Sequence, residues 1–243
     1  MMKSVLKRAI RSFGYELRRY RHLTKILASR RIDLVFDIGA NVGQYAKSLR
    51  EHGYRGRIVS FEPVSSSWEQ LVDAASRDPL WEVAPRCAIG EKDGEIEIHV
   101  SKNLLSSSTL EMLNLHLKNA PDSAYVRDEK VPLRRLDSIF RQYLREGSSV
   151  FIKIDTQGSE MQVLLGAQQV LERAIGLQVE LSFAELYKGQ PLYDEFITYL
   201  RAKGFELWDI APVFVDLRFG RTLQADAAFF RAENGAGKLG MTL

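Results

Sequence analysis

Residues 35–46 read VFDIGANVGQYA, and no other stretch restricts the fold as much. The apolar pair Val35-Phe36 leads through Asp37 and Gly39 to Gly43, after which the pattern is helical. A strand that enters a glycine turn and then a helix is the cradle that holds nucleotide-like ligands in open α/β sheets. The dinucleotide fingerprint needs glycines at the offsets where this chain has Asn41 and Gln44, so that ligand is disfavoured. No Gly-Lys-Ser/Thr follows, which removes the phosphate loop. What is left is D-x-G-x-x-x-G, with an acid at the strand end. Such an acid repels a pyrophosphate and attracts a cation. S-adenosylmethionine, with an ammonium, a sulfonium and no phosphate, is the ligand this predicts.

From Leu34 onward strands and helices alternate. Strands are predicted at 34–38, 57–61, 81–84, 95–100, 129–133, 150–154, 176–182, 205–210 and 225–231, and helices near 43–52, 65–76, 136–145, 159–172 and 191–203. This order predicts a mostly parallel sheet covered by helices on both faces. The last two strands have no long helix between them, which predicts an antiparallel pair at one end. Glu91–Gly94 (EKDG) reads as a hairpin turn. Residues 101–127 read as a long connection with a short helix at 109–118, and a loop of that length tends to carry function.

Ligands in such sheets sit beyond the carboxyl ends of the strands, where this sequence places Asp37, Glu62, Asp155 and Glu180. Glu62, in IVSFEP, is suited to the two ribose hydroxyls of an adenosine, with Pro63 turning the chain away. Ala88 and Ile89 are small and apolar enough for an adenine to lie against them. In VFIKIDTQGSE, Asp155 ends a strand and Lys153, a candidate substrate contact, lies two residues back on the same face. Asp155 and Glu180, on neighbouring strand ends, are candidates either to divide acid–base work or to share a divalent cation such as Mg2+. The alternative for Asp155 is a helix cap, and for Lys153 a neutralising role. Ser106, Ser107 and Ser108 offer hydroxyls to a sugar or to the methionine carboxylate, and His116 is an outside candidate for general base. Tyr187, with Phe183 and Tyr193, suits stacking on a sugar face or plain core packing.

Bulk properties set the remaining bounds. The 243 residues suit one substantial core. The net charge of +3 conceals an asymmetry: residues 1–31 hold ten Lys/Arg and one acid. There Val5, Ala9, Ile10, Phe13, Leu17 and Tyr20 recur at helical spacing. This basic segment reads as a helical lid with solvated charges or as a helix that docks on anionic lipid or an acidic partner. Aromatic–basic interleaving is missing, so nucleic acid is not expected as a partner. Domain bounds follow at 1–31, 32–232 and a frayed tail at 233–243. The lone Cys87 excludes an internal disulfide and a cysteine-rich zinc site. No apolar run is long enough to cross a membrane and no secretory h-region is visible, so a cytoplasmic protein is expected, peripheral at the inner membrane face if the basic helix docks.

The ordered motifs FDIGANVGQYA, FEP (61–63), AIG (88–90), SSST, IKIDTQGSE, LLGA (164–167), ELYKGQPLYDEF (185–196), KGFELWDI (203–210) and QADAAFFR (224–231) resemble the FkbM-type methyltransferases over about residues 33–231. The resemblance implies a Rossmann-like class I α/β fold with a seven-stranded sheet whose last strand is antiparallel. It implies S-adenosylmethionine as donor and a hydroxyl acceptor on a sugar, glycolipid or polyketide. Asp37, Gly39, Ala40, Asn41 and Gly43 then look like the cofactor loop, Glu62 like the ribose acid and Asp155 like the acid at the active-site end of the fourth strand. Gln157 stands where many relatives carry Glu, which removes a charge and weakens the case for a metal. The rival readings are a dehydrogenase on the same architecture and a donor-binding module without turnover, docked by its basic helix.

Overall fold

The computed structural model describes residues 23–232. The basic amphipathic stretch expected at 5–20 and the tail after 232 lie outside these. The first described element is a short helix, α1 (Leu23–Ser29), which buries Thr24 and Leu27. It leads into β1 (Leu34–Ile38), every residue of which is buried. β7 (Val150–Ile154), its neighbour, is buried throughout as well. Strands covered on both faces need continuous apolar runs, and LVFDI and VFIKI supply them apart from one charged residue each.

Seven strands form one sheet in the order β3-β2-β1-β7-β8-β10-β9. The others are β2 (Arg57–Phe61), β3 (Trp81–Val83), β8 (Ala174–Ser182), β9 (Phe205–Asp216) and β10 (Arg221–Arg231). Pairing is parallel from β3 to β8. β10 is antiparallel to both β8 and β9, as the missing crossover helix predicts. Helices α2 (Gln44–Glu51), α3 (Ser65–Ala75), α6 (Glu160–Leu165), α7 (Gln168–Arg173) and α8 (Tyr193–Ala202) cover the faces. The larger core cluster joins Phe36, Phe61 and Tyr143, whose ring centroids lie 5.9–6.2 Å apart.

Part of the chain read as one sheet forms a second. β4 (Ala88–Ile89), β6 (Tyr125–Arg134) and β5 (Gly94–Ser101) make a three-stranded sheet in that order. The EKDG turn therefore does not close a hairpin, because β6 lies between the strands it connects. The long connection contains α4 (Asn114–Asn119), shorter and later than predicted. The helix predicted at 136–145 is a four-residue α5 (Leu136–Ile139) followed by a 3-10 turn.

The single helix predicted over 159–172 is two, broken at Gly166. A Cβ there would sit 1.9 Å from the Gly90 carbonyl oxygen, so two backbones meet at this point. The Asp137 carboxylate then receives the free N–H groups of Gln169 and Val170 at 2.9 and 3.1 Å, starting α7 anew. Gly166→Ala is predicted to destabilise the fold by about 3 kcal/mol, read from urea unfolding. An unfolding midpoint equal to that of the wild type would show that the contact yields without cost.

Candidate active site

The turn after β1 is set by backbone, not by side-chain chemistry. Gly39 and Ala40 both donate to the Phe61 carbonyl at 3.0 Å, folding the loop over the end of β2. Gly39, Asn41 and Gly43 all have positive φ, at 75°, 49° and 85°. A Cβ on Gly39 would lie 1.8 Å from the Asp155 carbonyl oxygen, which requires glycine there. Asn41 tolerates its left-handed backbone because its carboxamide bonds locally, accepting from Val42 N–H at 2.7 Å and donating to the Leu104 carbonyl at 2.9 Å.

Glu62 is buried at the end of β2. One carboxylate oxygen accepts the Asn41 N–H at 2.8 Å and the other the Val64 N–H at 2.9 Å. Burial lifts its carboxyl to about 7, against the pull of those two N–H groups. Each oxygen keeps lone pairs free for further donors. Glu62 lines a cavity of about 480 Å³ beyond the strand ends. One wall is apolar: Pro63, Val64, Ala88, Ile89 and Ile98. A polar wall includes Lys153, Asp155, Gln157, Gln178 and Asp226. Cys87 also lines the cavity, and burial raises its thiol to about 11, so it stays protonated.

Lys153 is the hub of the polar wall. Its buried ammonium donates to the Gly39 carbonyl at 3.2 Å and lies 3.3 Å from Asp155 and 3.6 Å from Asp37. Burial works against its charge, but Asp155, Asp37 and Asp226 outweigh burial and hold the ammonium above its usual value. Asp37 is wholly buried, and burial raises its carboxyl despite Lys153 and the Ser60 hydroxyl, which donates at 3.1 Å. Asp226 is likewise raised, first by burial and then by Asp155.

Behind this wall Glu180 is buried and does not line the cavity. The Gln157 amide stands between the two expected partner carboxylates, donating to Asp155 and to Glu180 at 2.8 Å each. Gln224 donates to the same Glu180 oxygen at 2.6 Å, and the Tyr187 hydroxyl donates to the Gln157 side-chain Oε1 at 2.8 Å. Burial, then the Asp155 charge, holds the Glu180 carboxyl well above its usual range. An amide nitrogen bonded to both carboxylates takes the seat a shared cation needs. Among the described residues no group of three His, Cys, Asp or Glu is placed to hold a metal. Shared metal ligation by Asp155 and Glu180 therefore does not fit this donor set.

Other expectations are also corrected. Asp37 and Gly43 do not line the cavity: Asp37 holds Lys153 from below, and a Cβ on Gly43 would meet the Trp81 ring at 2.5 Å. Ser106 and Ser108 are buried outside it. Ser108 donates to the Gln157 carbonyl at 2.6 Å, and Ser106 bonds Ser123 at 3.0 Å. Ser107 does line it, joined by Thr109, which bonds Ser159 at 2.6 Å. Tyr187 is fully buried and offers no face to a sugar. His116 is packed against Tyr187 and Phe214, with Nε2 on the Ser123 hydroxyl at 3.2 Å and Nδ1 unpartnered. Burial pushes its imidazole down to about 4, and it does not line the cavity. Sequence reasoning missed Gln178, Asp226 and Tyr45, which line the cavity, with the Tyr45 hydroxyl donating to Gln178 at 3.3 Å. Gln178 carried a signal, since it lies two residues before Glu180 on the same face of β8.

The methyltransferase FkbM domain model matches residues 37–207. The chain belongs to the FkbM methyltransferase family. Its sheet is that of a class I methyltransferase, with the antiparallel strand inside one edge. It is 26% identical over 156 residues to methyltransferase sdnD of Sordaria araneosa, covering 56% of this chain and 60% of that protein. It is 26% identical over 166 residues to the 2-O-methyltransferase NoeI of Sinorhizobium fredii, covering 65% of this chain and 66% of that protein. The chain thus spans under two thirds of the length of both relatives. Among solved structures, an rRNA methylase from Streptococcus thermophilus is 11% identical at a TM-score of 0.47, covering 90% of this chain and all of that one, a likeness that carries no argument.

Removing the hub leaves buried acid unpaired. Lys153→Met is predicted to destabilise this FkbM-family domain by about 3 kcal/mol in urea unfolding. Adding Asp37→Asn to it is predicted to recover at least half of that loss. A double variant no more stable than the single one would show that Lys153 acts by packing and not by charge.

Proposed function

We propose that this FkbM-family chain is an S-adenosylmethionine-dependent O-methyltransferase acting on a hydroxyl of a sugar, glycolipid or related small molecule. The observation that carries the reading is Glu62, a buried carboxylate anchored by two backbone N–H groups, in a cavity lined as well by the apolar Pro63, Val64, Ala88, Ile89 and Ile98. That pairing of a bidentate acceptor with a flat apolar wall suits the ribose and base of an adenosine. The acids around Lys153 suit a donor that carries positive charge and disfavour a pyrophosphate. When bound, S-adenosylmethionine supplies an electrophilic methyl group on a sulfonium.

The protein's own part is to hold the acceptor oxygen in line with that methyl and to exclude water. An amine acceptor among Asp155 and Asp226 would be held as an ammonium, which has no lone pair to attack with. A hydroxyl meets no such obstacle, and the name of NoeI, a 2-O-methyltransferase, agrees with oxygen. Asp155 is the carboxylate of the pair that faces the cavity, so it is assigned to take the hydroxyl proton. Gln157 and Lys153 fix its two oxygens from either side. Glu180 acts on it only through the Gln157 amide. No proton or electron step is assigned to a metal.

Ribose hydroxyls donate to the ionised form of Glu62, whose carboxyl in the folded protein lies near 7. Below that value the carboxyl must lose a proton before it binds, so affinity rises as the pH rises and levels off above it. Calorimetric titration with S-adenosylhomocysteine is predicted to show binding about tenfold weaker at about pH 6 than at about pH 8. In Glu62→Gln the pH dependence is predicted to vanish, with weaker binding throughout. A variant that binds as tightly as the wild type at both pH values would remove the basis of this reading. Asp155→Asn is predicted to keep S-adenosylhomocysteine affinity within about threefold while turnover on an acceptor found by screening deoxysugars and glycolipids falls about a hundredfold. Turnover at the wild-type rate would move the base elsewhere.

A further inference from the structure

The turn between β9 and β10 carries two large apolar side chains almost fully in water: Leu217 is 90% exposed and Phe219 81%. The turn is built, not slack. The buried Asp216 carboxylate accepts Arg218 N–H and Nε at 3.0 Å each and the Arg218 terminal nitrogen at 2.6 Å. Phe219 N–H closes the turn on the Asp216 carbonyl at 3.2 Å, and Gly220 takes the positive φ of 66° that the reversal needs. The cost of exposing Leu217 and Phe219 is thus imposed by a rigid scaffold and serves nothing inside the described part of the chain.

Strand register places this turn beside the cavity. Asp226, on the cavity wall, pairs with Glu180 on β8, and Gln224 pairs with Ser182. Arg221 is five residues nearer the turn than Asp226, so the hairpin stands roughly 15 Å beyond the level of the polar wall. The charges around it are unequal. Arg218 is balanced by Asp216, and Arg221 and Lys118 add two further cations; Lys118 is next to Asn119, whose side chain bonds Asp216. Ten Lys/Arg and one acid occupy residues 1–31 of the same chain.

We propose that the β9–β10 turn is a membrane-docking wedge that inserts Leu217 and Phe219 into an anionic lipid surface and stands the cavity mouth against it. Leu217 and Phe219 stand at the tip of the hairpin, ahead of Val213 and Ile210, which continue the apolar surface along edge strand β9 at 49% and 43% exposed. They suit the boundary between headgroups and acyl chains, where flanking cations rest among lipid phosphates. Lasting attachment there takes an apolar signal and a basic one, and this chain has both.

The test is sedimentation of the full chain with phosphatidylcholine vesicles, with and without phosphatidylserine. Wild type is expected to pellet with the anionic vesicles, and Leu217→Ser/Phe219→Ser to partition at least tenfold less. Both side chains are in solvent, so the double variant should keep its unfolding midpoint and its S-adenosylhomocysteine affinity. Phe219→Trp is expected to blue-shift its emission on the same vesicles. Equal pelleting of wild type and double variant would place all binding in residues 1–31 and overturn the wedge, as would an unshifted Trp emission. Absence of wild-type binding overturns it too. A wild-type dimer that the double variant splits into monomers, without vesicle binding, would show that the turn seats a second copy instead.

Discussion

One buried ammonium sets the conditions for everything at the mouth of the sheet. Lys153 bonds the backbone of the β1 turn and pairs with acids at the ends of β1 and β7. Without it, Asp37 and Asp155 would repel across adjacent strands in a medium that screens charge poorly. With it, the two central strands end together, and the turn at Gly39 rests on the carbonyl of Asp155. The acids outnumber the lysine, so several carboxyls share one ammonium.

A second tier of polar contacts fixes the loops above that hub. Gln157, with a left-handed backbone at φ 55°, spends its amide on Asp155 and Glu180 and receives Ser108 on its carbonyl. Thr109 and Ser159 bond across the same junction. Glu160 collects the N–H groups of Thr156 and Gly158 at 2.8 and 3.0 Å. The serine-rich loop is thereby fastened to the β7 turn, and its hydroxyls serve mostly as fasteners.

The sequence made the local features legible and left the non-local ones hidden. The β1 turn, Glu62, Asp155 and the buried central strands were readable because each depends on neighbours close in the chain: a strand end, a glycine offset, an apolar run. Asp226 was hidden because its place depends on the register of an antiparallel strand that no local pattern sets. The second sheet was hidden for the same reason, since β4 and β5 are joined only through β6, whose Leu133 is the partner of both Ala88 and Gly94. Residue type misled where polar groups serve packing. Asp37 looks like a ligand contact and is a counter-ion to Lys153; His116 looks like a base and is a buried ring; Gly43 looks like part of the cofactor loop and makes room for Trp81. The resemblance to FkbM-type methyltransferases fixed the family and the sheet, but not which of its polar residues face the cavity.

The contact between Gly39 and the carbonyl of Asp155 has no room for even a methyl group. The β1 loop and the turn that carries Asp155 are thus a single mechanical body, backbone against backbone. Under the proposed function, a shift of Asp155 on meeting an acceptor passes to the β1 loop without a flexible side chain to absorb it. Linkage then runs in both directions: whatever factor an acceptor adds to donor affinity, the donor adds to acceptor affinity.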